Sequence, residues 1–121
     1  MHDDGKVILR FRDGRTERIA VAVIDAVTEV LNIKHEHGGE EQVPFNALKA
    51  VFFPRTVPEE QLDTPTGSLI AVEFADGEVI RGSANYNPGA SGFFLFPHDR
   101  SKNERIFVVR SAIASIEVEK L

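Results

Sequence analysis

The sequence predicts an all-β protein: two tandem small β-units of about five strands each, packed into one body. Three observations carry that expectation. Residues 6–14 (KVILRFRDG) and 69–77 (LIAVEFADG) share an alternating apolar run closed by Asp-Gly, with Asp13 and Asp76 separated by 63 positions. Leu48 and Val51 find counterparts in Ile113 and Ile116 at a spacing of 65, so register drifts by only two residues across the unit. Between these anchors, runs rich in Val, Ile and Phe are punctuated by Asp-Gly, Gly-Gly and Asn-Pro, which is strand and turn chemistry. An isolated unit of about 60 residues is only marginally stable, so fusing two such units is physically sensible.

The elements follow in order. Val7, Leu9 and Phe11 alternate with Lys6, Ile8, Arg10 and Arg12 up to the Asp13-Gly14 hairpin signal, and 15–23 (RTERIAVAV) is the return strand, with Ile19, Val21 and Val23 on one face. A helix over 19–33 is rejected because Val and Ile dominate it and the matching stretch of the second unit holds Asn85, Asn87, Pro88 and Gly89. A third strand spans 29–36, with Leu31 and Ile33 set against Phe94 and Phe96 of the second unit. The turn at Gly38-Gly39 leads to a fourth strand at 41–45, where Pro44 suits an edge position. A single helical turn at Asn46-Ala47-Leu48 precedes the last strand, 50–53. The second unit repeats the order at 69–75, 78–85, 92–97, 104–109, a turn at 110–112, and 113–119. Five short strands with one helical turn before the last is the order of an SH3-like or Sm-like small barrel.

Domain limits follow: a first β-barrel repeat over 1–55, a Pro-rich linker over 56–67 and a second repeat over 68–121. Three of the six prolines fall in 54–67, which stiffens the connection, and Pro58 before Glu59, Glu60 and Gln61 suits the start of one short helix. The ends, 1–5 and 117–121, are expected to be mobile or paired at an edge.

Composition narrows the function. The chain has 42% apolar and 27% charged residues, no Cys and a net charge of −5. Lacking Cys, it has no disulfide, thiolate zinc site or cysteine nucleophile. Basic against acidic counts are 8 to 9 up to residue 55 and 6 to 10 beyond it, so neither unit carries the excess that binding by counterion displacement requires. Nucleic acid is therefore disfavoured as a partner. No apolar run reaches the roughly 20 residues of a membrane span, and MHDDGK is unlike a signal peptide, so a cytoplasmic location is expected.

The second unit carries Asp76-Gly77, Gly82, Asn87-Pro88, the aromatic run Phe93 to Phe96, and Ile106 to Val109. With these residues the chain resembles a bacterial family of small duplicated β-domains of unknown function, found alone or appended to signalling and motility-related proteins. The resemblance is best over 69–116. The first unit departs from it at Ile19, where the pattern has Gly, and lacks the Asn-Pro loop.

Candidate chemistry is sparse. His35-Glu36-His37 places two imidazoles on one strand face, yet no third metal ligand stands nearby in sequence, and a polar hairpin tip accounts for it. His98 and Asp99 are adjacent and would point to opposite faces. Asp13 and Asp76 each precede Gly in a turn, where Asp bonds its local backbone. Ser91, Ser101 and Ser111 lack a nucleophile-elbow setting. The loop NPGASG (87–92) resembles the turn of cyclic-dinucleotide-binding PilZ barrels, but Gly89 stands where that turn has Ser; a tight loop whose glycines supply positive φ explains it. Phe93 to Phe96 must put aromatics on both faces of a strand, to be buried between the units or in a homodimer, or else to meet a partner. The expected function is a non-catalytic protein-interaction or regulatory module, without cofactor or metal. It would bind its partner through a sheet edge or the 85–92 loop, with Tyr86, Asn87, Pro88, Phe93, Arg100 and Arg105 as contact residues. An Sm-like RNA-binding protein and a PilZ-like cyclic-dinucleotide sensor are the alternatives.

Overall fold

A computed structural model describes residues 6–62 and 64–119. The first half supplies β1 (Val7–Phe11), β2 (Thr16–Ile19), β3 (Val21–Asp25), β4 (Val30–Lys34), β5 (Glu40–Pro44) and β6 (Leu48–Pro54); the second supplies β7 (Ser68–Phe74), β8 (Val79–Ala84), β9 (Gly92–Pro97), β10 (Asn103–Val109) and β11 (Ile113–Val118). Single 3-10 turns at Phe45–Ala47 and Arg110–Ala112 introduce β6 and β11, and a third at Glu59–Gln61 follows Pro58 in the connecting segment. The fold is all-β, as the alternating pattern predicts. Eight strands form one sheet in the order β11-β7-β8-β9-β10-β6-β1-β2, and β3-β4-β5 form another; neither order closes on itself. Residues 1–5, 63, 120 and 121 lie outside the described residues, and with them most of the expectation for the chain ends. Glu117 and Val118 are edge-paired, on Ala71 and Ile70.

Local chemistry explains the hairpins. Gly14 and Gly77 both take φ +94°, which an L side chain resists, and in each turn the preceding Asp accepts a hydrogen bond from the backbone two residues on. The two halves also agree in register. Leu9 pairs Val51 as Val72 pairs Ile116, and an irregularity interrupts each ladder at the same step, between Arg10 and Phe11 and between Ile113 and Ser115. Arg12 N–H donates to the Ala47 carbonyl, and Ala75 N–H to that of Ala112.

Two expectations fail in register. The return strand 15–23 is broken at Ala20: β2 pairs β1 in the large sheet, whereas β3 pairs β4 in the small one. The cause lies one residue earlier. Ile19 pairs Val7 as Gly82 pairs Ile70, and a Cβ at Gly82 would overlap the Phe96 carbonyl of β9. The second half keeps its second strand whole with glycine; the first half, with a fully buried isoleucine, bends away there. The other failure concerns the aromatics. Leu31 pairs Val43 and Ile33 pairs Glu41, just as Phe93 pairs Val108 and Leu95 pairs Ile106. Leu31 and Ile33 thus correspond to Phe93 and Leu95 rather than Phe94 and Phe96. A loop one residue shorter than assumed reverses which face each aromatic takes.

The halves meet along β6 and β10, which pair antiparallel from Asn103 opposite Pro54 to Val108 opposite Ala50. Leu48–Phe52 and Ile106–Val109 are buried without a break, so both strands are covered on both faces. Phe107 bridges the halves, its ring 5.5 Å from Phe45 and 5.4 Å from Phe94. The buried residues of both halves form one hydrophobic cluster.

Candidate functional site

The Phe-rich strand β9 divides its aromatics between two faces. Phe93 and Leu95 are buried, while Phe94 and Phe96, on the opposite face, are only half-buried. Phe53 of β6 reaches the same outer face and lies 6.0 Å from Phe94, ring to ring. Arg105 of β10, opposite Phe53 in the ladder, lays its guanidinium 4.8 Å from the Phe53 ring and 4.7 Å from that of Phe94. Arg100 covers Phe96 at 5.3 Å and donates to the Glu104 carbonyl. Three partly buried rings with two guanidinium planes over them thus form a strip across β6, β10 and β9. Arg100 is nearly enclosed, at 9% exposure, whereas Arg105 is exposed and lies flat on its rings, held by their quadrupoles.

The six residues singled out from sequence do not share a site. Arg100 and Arg105 belong to this strip. Tyr86 folds onto Phe93 at 5.3 Å, edge to face, on the other side of β9. Asn87 and Pro88 are exposed in the connecting turn, where the Asn87 side chain accepts from Gly89 N–H at 2.9 Å. A shallow hollow of about 410 Å³ beside that loop is lined by Ile70, Tyr86, Asn87 and Val118 among others. The loop glycines do not act as expected: neither Gly89 nor Gly92 has a positive φ. Gly92 is needed instead because a Cβ would overlap the Phe107 ring.

Sequence reading missed an ionic cluster at the seam. Lys49 of β6, with 7% of its surface exposed, donates to Asp76 at 2.7 Å and to Glu78, and its ammonium lies 4.9 Å from the Phe74 ring. Arg10 reaches both Glu78 oxygens at 3.3 Å. Burial disfavours the charged lysine, but the hydrogen bonds and charges of Asp76 and Glu78 outweigh it and hold its pKa above the ordinary lysine value. The Lys49 hydrogen bond and then the Glu78 N–H draw the Asp76 pKa below the ordinary carboxylate value. Arg12 spans the same seam, donating to the Leu48 and Phe45 carbonyls and to the Ser111 hydroxyl. A small pocket of about 100 Å³ lies among Arg12, Lys49, Phe74, Asp76 and Ser111. Only the Asp-Gly turn was legible, since the partner of Asp76 lies 27 residues away.

The His-x-His segment sits past the end of β4 in the β4–β5 turn, with the two rings stacked at 5.2 Å. Two carboxylates converge on His35: Glu41 at 2.9 Å from Nε2 and Glu17 at 3.7 Å from Nδ1. One donor atom from each of Glu17, His35 and Glu41 lies within 4.8 Å of the other two, a spacing that could hold a cation but that exposed acidic groups commonly show without one. His98 and Asp99 part company: His98 N–H donates to the Arg81 carbonyl, and the Asp99 carboxylate accepts from Ser101 N–H.

Residues 3–120 match a family described as a family of unknown function, DUF6982. The chain belongs to that family. No curated protein and no solved structure matches it. Among the described residues of this DUF6982 member, no helix is long and apolar enough to cross a membrane.

Proposed function

We propose that the protein is a non-catalytic protein-interaction or regulatory module of a bacterial cytoplasmic system. In this reading it arose by duplication of a small SH3-like or Sm-like barrel unit. The five strands of the second half run in the order β11-β7-β8-β9-β10, and the first half repeats that order with its second strand split, β6-β1-β2 and β3-β4-β5. The partner is held on the strip of Phe53, Phe94 and Phe96 under Arg105 and Arg100.

The observation that carries this reading is the placement of the exposed Arg105 over two partly buried rings. Arginine and aromatic side chains dominate binding energy at protein interfaces, and pre-stacked rings lose little entropy when a partner covers them. Arg100, Lys102 and Arg105 outnumber Asp99 and Glu104 by one on a chain of net charge −5, which favours a partner segment that is acidic with apolar side chains. Affinity capture from native cells with mass spectrometry tests it, comparing wild type with Arg105→Glu. The variant should melt close to the wild-type temperature and lose one specific protein from the captured set. An unchanged set, from a folded variant, overturns the reading.

A further inference from the structure

At the seam, β10 receives β6 as an added antiparallel strand: Ile106 stands opposite Phe52, Phe107 opposite Val51, and Val108 opposite Ala50. Of the four strands at the ends of the two sheets, β2, β3, β5 and β11, the last two are the counterparts of this pair. β5 holds the place in the first half that β10 holds in the second, since Leu31 pairs Val43 as Phe93 pairs Val108. β11 holds the place of β6, since Val72 pairs Ile116 as Leu9 pairs Val51. Both are terminal in their sheets. In shape, therefore, the free edge of β5 is made to take the free edge of β11 from a second copy, head to tail, by the junction already used inside the chain.

Side-chain chemistry opposes that contact. Carrying the inner register outward sets Glu41 opposite Glu117 where the seam has Ile106 opposite Phe52, Gln42 opposite Ile116 where it has Phe107 opposite Val51, and Val43 opposite Ser115. Glu40, Glu41, Gln42, Ser115 and Glu117 are all exposed. Like charges directly opposite each other destabilise a strand pair, and charged edges are how sheets avoid edge-to-edge association. Glu41 is also flanked through His35 by Glu17, which adds negative charge to the same end.

We propose that β5 and β11 are complementary docking strands of two copies of this chain, held apart by the Glu41–Glu117 repulsion. This inference rests on strand register and not on the aromatic strip.

A charge-swap cycle tests it by sedimentation over about 10 μM to about 1 mM, the range in which a weak strand-edge contact becomes visible. Wild type should remain monomeric. Glu117→Lys and Glu41→Lys, each alone, should associate head to tail with increasing concentration, and the double variant should return to monomer. Amide signals of 40–44 and 113–118 should move together as either single variant is concentrated, and wild-type thermal transitions in all variants confirm folding at these exposed positions. Single variants that stay monomeric at about 1 mM, a double variant that associates as readily as the singles, or wild type already joined through these edges would each overturn the proposal.

Discussion

Lys49 and Asp76 meet at 2.7 Å across the seam, joining β6 of the first half to the β7–β8 turn of the second. The ammonium is nearly enclosed while the carboxylate side chain is 54% exposed, so the pair lies between a surface and a buried salt bridge. Lys49→Met keeps most of the volume and the contact with Phe74 but removes the cation between Asp76 and Glu78. With water screening both carboxylates, the expected loss is about 1–2 kcal/mol, read as a lower urea midpoint at unchanged slope.

Acid should unfold the protein through its turn aspartates. Asp13, Asp25, Asp76 and Asp99 all have pKa values lowered from 3.8: Asp13 first by Arg15 N–H, Asp25 by Thr28, Asp76 by Lys49 and Asp99 by Ser101. The unfolded chain binds more protons than the native one around and below 3.8, so this stability is present above that pH and disappears as pH falls through the native values. Lys49 acts at the other end. Its native pKa is raised above 10.5, so its contribution is complete below that value and is lost as pH climbs past it. Melting temperature against pH should be flat between these limits as far as these groups decide it. Asp76→Asn should make the acid limb shallower; an unaltered limb would show that the Lys49 contact does not survive in solution.

The two faces of β9 should differ in cost. Phe93→Ala removes a ring that is 7% exposed and packed on Tyr86, and should destabilise by about 3–4 kcal/mol. Phe94→Ala removes a partly buried ring and should cost less, about 1–2 kcal/mol. Equal losses on chemical denaturation would mean the outer strip is as enclosed as the core.

Glycine positions separate in the same way. Gly82→Ala drives a methyl into the Phe96 carbonyl and should cost about 2–3 kcal/mol with weakened amide protection along β8 and β9. Gly89→Ala meets nothing nearer than Asn87 Oδ1 at 3.5 Å and should stay within about 0.5 kcal/mol of wild type.

Strand positions were legible because alternation and Asp-Gly turns are local signals: Val7, Leu9 and Phe11 and the Asp13 and Asp76 turns stand where the pattern puts them. Pairing was not legible to the residue. The assignment of Leu31 and Ile33 failed by a single step, and in a strand one step exchanges inside for outside. Ile19 departs from the Gly pattern in the sequence itself, but its effect depends on a carbonyl of β9 whose counterpart no local pattern reveals. The Arg105 stack and the Lys49 cluster were hidden for another reason. Each joins residues that only the β6–β10 seam brings together, and Arg105 was named from its charge rather than from the rings beneath it.

That β6 and β10 are walled in on both sides has a consequence for how the chain can be cut. Either half prepared by itself would present a stripped wall of Ala50, Val51 and Phe52, or of Ile106, Phe107 and Val108, to water. A fragment ending in the connecting segment should aggregate rather than persist, and the intact protein should melt in a single step. In any shuffling of its gene, the two halves would have to travel as one cargo.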